Sequence, residues 1–461
     1  MWVACVVPAI AVLLSLMQTE DLAYQVRAGS LMWQTHSLLR TDPFTFTVGG
    51  QPWHDLQWGA QLVLAGIHAV GGWRGLVFVR AVIVGGAVGI TYLRVSRRGA
   101  SPQASILATF AAFILCVSLA GSIAMRPQLL AVPLFLATAA ALGARHRRSA
   151  WMWAIPVIGV LWVNVHGSFV LLPLLCALAF VADLFDRAKR RWTTGLVFAV
   201  SLFTPLVDPW GYRSYTYVVD LTTTPIVRTV IDEWRPMWRQ WPAGLLFLLA
   251  LIGVAIVLMR GGWARMRTED RFVLVTFSLL AVASGRNVIW WSLAVPPAIG
   301  AALPSRASSW SRVASIVARV AVAAMLALAL IRLVSRAPDL VLADAPIGIS
   351  TTVSDATDPA THVFAGWWGS WLEFTDPAAR QFVDARAEIF PDDVWADYFR
   401  VSHAEPGWGE VLDDRGVDVV VASRQHQAPL IAALEGDAGW REIYSDPEGV
   451  VFQRAESKEG R

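Results

Sequence analysis

The chain has 461 residues, of which 56% are apolar and only 16% charged, whereas soluble domains average about a quarter charged. Residues 1–334 carry 28 Lys+Arg against 12 Asp+Glu and residues 335–461 carry 10 against 23, so the net charge of +3 conceals a basic front section and an acidic tail. A single water-soluble domain is excluded, and a domain boundary is expected near Ser335.

Apolar runs near 20 residues, about the length that crosses a bilayer, recur through the front section. The first, Trp2 to Met17, has neither a basic leader nor a small-residue cleavage site and reads as a retained helix. Residues 18–72 form a long loop. Within it Asp21 to Gly29 reads as an amphipathic helix in which Gly29 permits close packing, and Leu39 to Thr47 is an extended, Pro- and Thr-rich stretch. Gln57 to Val70 is apolar for only about 14 residues, which suits an interfacial helix better than a crossing one. Further spans are predicted near 73–93, 102–123, 127–143, 150–165, 167–185, 192–207, 241–259, 272–285, 287–303 and 313–334, eleven with the first.

The dense basic clusters at 94–98, 145–148, 187–191, 260–271 and 306–312 all fall in alternate loops, as the positive-inside rule requires of cytoplasmic loops. The N-terminus is then cytoplasmic and the acidic tail extracytoplasmic. Arg80 lies inside the second span and is expected to snorkel to the interface. Cys5, Cys116 and Cys176 all lie in apolar runs, so no disulfide framework is expected. Only Lys189 and Lys458 are lysines, a usage that points to a GC-rich bacterial genome and hence a bacterial plasma membrane.

The tail alternates strands and helices. Strands are predicted at 361–365, 381–384, 417–422, 440–444 and 449–454, with helices at 408–414 and 428–435, the pattern of a small α/β domain.

Ionisable and polar groups collect at the outer rim of this topology, where by default they mark a functional site or a buried pair. Glu20 and Asp21 stand where the first helix ends; a partly desolvated carboxylate there can serve as a general base, although two acids also simply end a helix in water. Asp42, Trp53 and Asp55 follow in the same loop, with Trp53 placed to stack on a sugar ring or to sit in the headgroup belt. Arg126 and Arg286 are candidate phosphate clamps, with interfacial snorkelling as the plainer role. Asn164 and His166 lie together at a helix end, and Asn287 adjoins Arg286. In the tail, Gly366 to Trp371 and Asp384, Arg386 and Glu388 either grip an acceptor glycan or form core and ion pairs. No zinc pattern, P-loop, dinucleotide fingerprint or nucleophile elbow is present, and no nucleic-acid partner is expected.

An acidic pair after the first span, a long outer loop, and Gly71 to Gly75 (GGWRG) leading into the second span resemble the GT-C glycosyltransferases. Thr19 to Asp21, Gly29, Thr41 to Thr47, Gly50 to Trp53, Gln57-Trp58, Arg126 to Gln128, Asn164 to Gly167 and Arg286-Asn287 further resemble a group of bacterial membrane proteins of that architecture. The resemblance implies a polytopic α-helical membrane fold that takes a polyprenyl-phosphate sugar as donor on the outer leaflet and glycosylates an envelope glycan, lipid or protein. It makes Asp21 the base with Glu20 beside it, and Arg286 with Arg126 the neutralisers of the leaving phosphate. It also implies assistance from a divalent ion, Mg or Mn. The chain departs from that group at Leu22-Ala23-Tyr24, where the related proteins carry aromatic residues and a His. A lipid-linked glycan flippase or a non-catalytic partner in envelope assembly are the competing readings. A transporter would place its ionisable groups at mid-membrane, whereas these lie at the rim.

Overall fold

The computed structural model describes residues 2–119, 121, 123–224, 231–306, 312–343 and 345–455. The chain divides into two compact units. The first comprises Met1–Met17 and Val70–Val341; the second comprises Gln18–Ala69 and Leu342–Arg461. The long first loop therefore groups with the acidic tail, and the second unit is drawn from both ends of the sequence.

The first unit is helical: α1 (Trp2–Leu14), then, after α2 (Glu20–Thr35) of the second unit, the bulk of α3 (Trp58–Ser96), α4 (Pro102–Val117), α5 (Pro127–Ala144), α6 (Ala154–Val163), α7 (Leu171–Phe185), α8 (Arg191–Ser201), α9 (Arg213–Thr223), α10 (Ala243–Val257), α11 (Thr268–Ala283), α12 (Val288–Ile299) and α13 (Arg312–Ser335). Each predicted span falls on an apolar helix. Five stretches among the described residues are long and apolar enough to cross a membrane: Trp58–Ser96, Pro127–Ala144, Gly167–Phe185, Ala243–Arg265 and Ile316–Ser335. Large apolar side chains such as Leu107, Leu279 and Val320 point outward, as lipid-facing surface allows. The expected interfacial helix and the second span are two helical stretches of α3 separated by a break at Gly72 (φ 56°, ψ −156°), a conformation open to glycine because it lacks Cβ.

Inside the unit, Phe135, Trp162, Phe277 and Trp290 pack ring on ring with centroids 5.2–6.3 Å apart. Arg80 does not snorkel. It is buried, and its guanidinium donates to the Leu16 and Val12 carbonyls and to Ser15 Oγ at the end of α1, where the helix dipole favours a cation. The basic clusters tie helix ends together: Arg145 bonds Asp183 at 2.7 Å and Glu269 at 2.6 Å, and Arg98 bonds Asp270 at 2.8 Å.

The second unit is built on a five-stranded sheet. After α14 (Ile347–Ala356) come β1 (His362–Phe364), α15 (Gly369–Thr375), β2 (Arg380–Gln381), α16 (Asp392–Ser402), α17 (Trp408–Asp414), β3 (Val419–Ser423), α18 (Ala428–Glu435), β4 (Trp440–Ser445) and β5 (Gly449–Arg454). The strand order is β2-β1-β3-β5-β4, with β1 parallel to β2 and β3, and β5 antiparallel to β3 and β4. Every residue of β3 is buried, as its unbroken apolar run requires of a central strand. The predicted tail strands and helices are all present; α14, α15 and α16 are additions.

The first loop extends this sheet. Thr45 pairs in parallel with Gln381, through Gln381 N–H to the Phe44 carbonyl and Phe46 N–H to the Gln381 carbonyl, both 3.1 Å. Phe46 stacks on His362 at 4.0 Å, and Thr47 Oγ1 donates to the Phe382 carbonyl at 2.6 Å. Gly29 in α2 faces the Gln61 carbonyl so closely that a Cβ there would overlap it and lie 2.8 Å from Ala65 Cβ, which is the close packing its identity suggests.

Candidate functional site

An acidic cluster belongs to the second unit and starts from α2. Glu20 and Asp21 occupy its first turn, where carboxylates favour the positive end of the helix dipole, and both are half-buried. One turn on, Tyr24 is buried, and Gln25 Nε2 donates to its hydroxyl and to Gln57 Oε1 at 2.6 Å. Asp55 lies beside this pair. Its Oδ1 accepts from the Gln57 N–H and from Gln61 Nε2, each at 3.0 Å, whereas its buried Oδ2 has no hydrogen-bond partner among the described residues. Burial pushes Asp55 up to about 7, with Glu388 adding to the rise against the Gln57 and Gln61 bonds and Arg386. Tyr24 is driven up by burial and then by Asp21, Glu388 and Asp55, so these three acids share its surroundings. A half-buried carboxylate beside one that titrates near neutrality is suited to proton transfer.

Arg386 fixes the loop that carries this cluster. Fully buried, it bonds Asp42 Oδ1 at 2.6 Å and chelates Asp384, with Nε 2.9 and 3.0 Å from the two carboxylate oxygens. Its guanidinium stands over Trp53 at 4.5 Å, Phe44 at 5.0 Å and Tyr24 at 5.9 Å from the ring centroids. Asp42 in turn caps its own turn, accepting from the N–H groups of Phe44 (3.2 Å) and Thr45 (3.0 Å) and from Thr45 Oγ1. Burial alone would drive the proton from Arg386; Asp384 and Asp42 outweigh it and hold the guanidinium well above its ordinary value. Asp42 and Trp53, expected at a substrate surface, are thus buried in this anchor. In the tail the ion-pair reading describes Asp384 and Arg386, and Trp368 and Trp371 are buried. A third acid, Glu373 of α15, is buried and receives no hydrogen bond from the described residues; burial and the neighbouring Asp384 charge push it well above its ordinary value.

A separate basic cluster belongs to the first unit. Arg126 caps α5 in extended conformation ahead of Pro127, and its Nη1 bonds Glu233 Oε1 at 2.8 Å. Gly121 leaves room for that contact, since a Cβ there would overlap the Glu233 carboxylate. Arg286 lies in the turn before α12, with its carbonyl held by Gln128 Nε2 (3.2 Å) and its guanidinium 4.9 Å above the Trp234 ring. Ser284 Oγ donates to the Glu233 carbonyl at 3.1 Å and the Gly285 N–H to the Arg235 carbonyl at 3.2 Å, so segment 231–240 is tied to both arginines.

His166 accepts the Ser168 N–H on Nδ1 at 3.0 Å; burial and then the Arg286 charge push it well below its ordinary value, leaving a neutral ring. Asn164 and Asn287 donate to the Val160 and Leu280 carbonyls at 2.7 and 3.0 Å, bonds that finish helix ends. An apolar cleft opens between α3, α4, α5 and α12, lined by Val88, Phe113 and Val132 and reaching Leu129 and Ile289, three residues beyond Arg126 and Arg286 respectively.

Sequence reasoning missed Glu233, Arg386's aromatic box and Glu373. Glu233 had a signal, being one of two acids in the Trp- and Arg-rich segment 231–240; Glu373 had none, since one acid in a short helix reads as solvated surface. Among the described residues no three His, Cys, Asp or Glu side chains are arranged to hold a metal.

No family profile matches the sequence, and no curated protein does. Solved structures do. The archaeal oligosaccharyltransferase AglB from Archaeoglobus fulgidus, in complex with an inhibitory peptide and a dolichol-phosphate, aligns with a TM-score of 0.59 at 14% identity over 99% of this chain and 74% of its own. ArnT from Cupriavidus metallidurans, bound to undecaprenyl phosphate, aligns at 0.54 and 14% identity over 100% of this chain and 98% of its own. The chain has the GT-C fold. Within the GT-C fold the alignment spans both units, so neither the helical bundle nor the tail sheet is foreign to that architecture.

Proposed function

We propose that the chain is a membrane glycosyltransferase that moves a sugar from a polyprenyl-phosphate donor to an envelope glycan, lipid or protein on the outer leaflet of a bacterial plasma membrane. The observation that carries this reading is Arg286, poised on Trp234 three residues from an apolar cleft in a GT-C fold. The cleft suits a prenyl chain, and the guanidinium suits the phosphate at its head. The eleven-span topology with a cytoplasmic N-terminus belongs to this reading.

Asp21 takes the proton of an acceptor hydroxyl as that oxygen attacks the anomeric carbon. The bond from the anomeric carbon to the phosphate oxygen breaks, and its electron pair leaves with the lipid phosphate. A single displacement inverts the anomeric centre. Arg286 stabilises the charge that develops on the phosphate, and Arg126, bonded to Glu233, adds to it. Transfer from labelled polyprenyl-phosphate sugars by wild-type membranes, with loss of about 100-fold or more in Asp21→Asn at equal expression, is the expected result. Equal transfer by both proteins removes Asp21 from the role. The same assay run with and without a chelator reads the requirement for a Mg or Mn ion.

A further inference from the structure

The charge network at the far end of the first unit leaves three groups over. Arg145 is matched by Asp183 and Glu269, and Arg98 by Asp270 Oδ1. Arg94, in the last turn of α3, makes no hydrogen bond or ion pair among the described residues, and its Nη1 is buried. Arg98 Nη1 and Asp270 Oδ2 are buried and equally unpartnered. All three side chains line one pocket together with Glu269, whose carboxylate is bonded to Arg145, and the rest of the wall is apolar, with Phe135, Leu142 and Val273. Two donors and one acceptor buried unmet would cost several kcal/mol together, so a polar occupant is called for.

Its chemistry follows from what is unmet. Two guanidinium nitrogens suit a phosphate, and a carboxylate oxygen beside them suits a cationic donor. The apolar wall suits the root of an acyl chain. Position agrees. Arg94 stands 22 residues beyond the Gly72 break in α3, about 33 Å at 1.5 Å per residue, close to the thickness of a bilayer core. Arg126 caps the start of α5 while Leu142 is near its end, so the pocket lies across the bundle from the Arg126 and Arg286 end.

We propose that this pocket binds the zwitterionic aminoethyl-phosphate headgroup of a membrane lipid, with phosphate on Arg94 and Arg98 and ammonium on Asp270 Oδ2. The site does not depend on the transfer chemistry at the other end.

The test is native mass spectrometry of the delipidated full chain with added phosphatidylethanolamine, phosphatidylglycerol or free phosphoethanolamine. Wild type should retain one phosphatidylethanolamine at least about tenfold more tightly than phosphatidylglycerol, and Arg94→Gln should lose about tenfold in that affinity. Asp270→Asn should keep phosphate binding and lose the preference between the two lipids. Equal retention of both lipids by wild type, or unchanged binding in Arg94→Gln, overturns the proposal. Free phosphoethanolamine binding as tightly as the lipid overturns the membrane source. Where Arg94→Gln fails to fold, Arg94→Lys keeps the charge without the fork, and the wild-type lipid series decides alone.

Discussion

Arg386 ties the first loop to the tail of the second unit. It neutralises two buried carboxylates and fills an aromatic box, so Arg386→Met would strand Asp42 and Asp384 without a counter-charge. Breaking a buried pair in this way costs about 3–5 kcal/mol. Hydrogen exchange across α2 and β2 should accelerate accordingly, and unchanged protection would show that the aromatic packing alone suffices. Asp55 gives the opposite case. Its folded value near 7 lies above the 3.8 of an ordinary Asp, so the folded state binds the proton more tightly. Stability from this group therefore falls as pH rises from about 4 to 7 and levels off above, by up to about 4 kcal/mol. Asp55→Asn should flatten that part of the profile when unfolding of the loop is followed against pH. A slope that survives the substitution would point to Glu373 or another acid.

At the scale of elements, most of the helices and strands were legible because their signals are local. Apolar runs mark the bundle helices, and β-branched runs between turn residues mark β3 and β5. The amphipathic α2 and the packing role of Gly29 were also readable. Gly29→Val should wedge α2 away from the Gln61 carbonyl and cost about 1–3 kcal/mol or more, measured as a lower thermal midpoint of the purified chain. What could not be read was pairing across the sequence. Nothing in Thr41–Thr47 announces a strand beside Gln381, because an edge bridge of this kind is set by the partner and not by propensity. Arg80 was misread for a related reason: its acceptors are the carbonyls at the end of α1, which no side-chain pattern displays.

At the scale of the whole molecule, the fold was legible through loose motifs, and the candidate site only in part. Asp21, Arg126 and Arg286 were singled out by position, but their partners, Tyr24, Glu233 and Trp234, come from packing. This division predicts different phenotypes for the two rim arginines. Arg126 already has a carboxylate at 2.8 Å, whereas the described neighbour of the Arg286 guanidinium is a ring face. Arg286→Gln should lower both kcat and kcat/KM for transfer, by about 100-fold or more, as loss of charge stabilisation in the transition state does. Arg126→Gln should act mainly through segment 231–240, and Glu233→Gln should reproduce it. Equal kinetic losses in both arginine variants, with no matching effect of Glu233→Gln, would assign the phosphate to the pair.

The ion pair between Asp42 and Arg386 joins residues 344 positions apart. During synthesis at about 5–20 residues per second, the loop must therefore wait roughly 20–70 s before its partner exists. Throughout that interval the Phe44–Phe46 edge, the acid at Asp42 and the rings of Tyr24 and Trp53 have nothing to close over them. An uncovered strand edge is open to wrong partners. Biogenesis of this protein thus has a vulnerable window that its finished structure conceals, and a nascent chain halted after Ser335 should be clipped by protease within 18–69 while the complete chain resists.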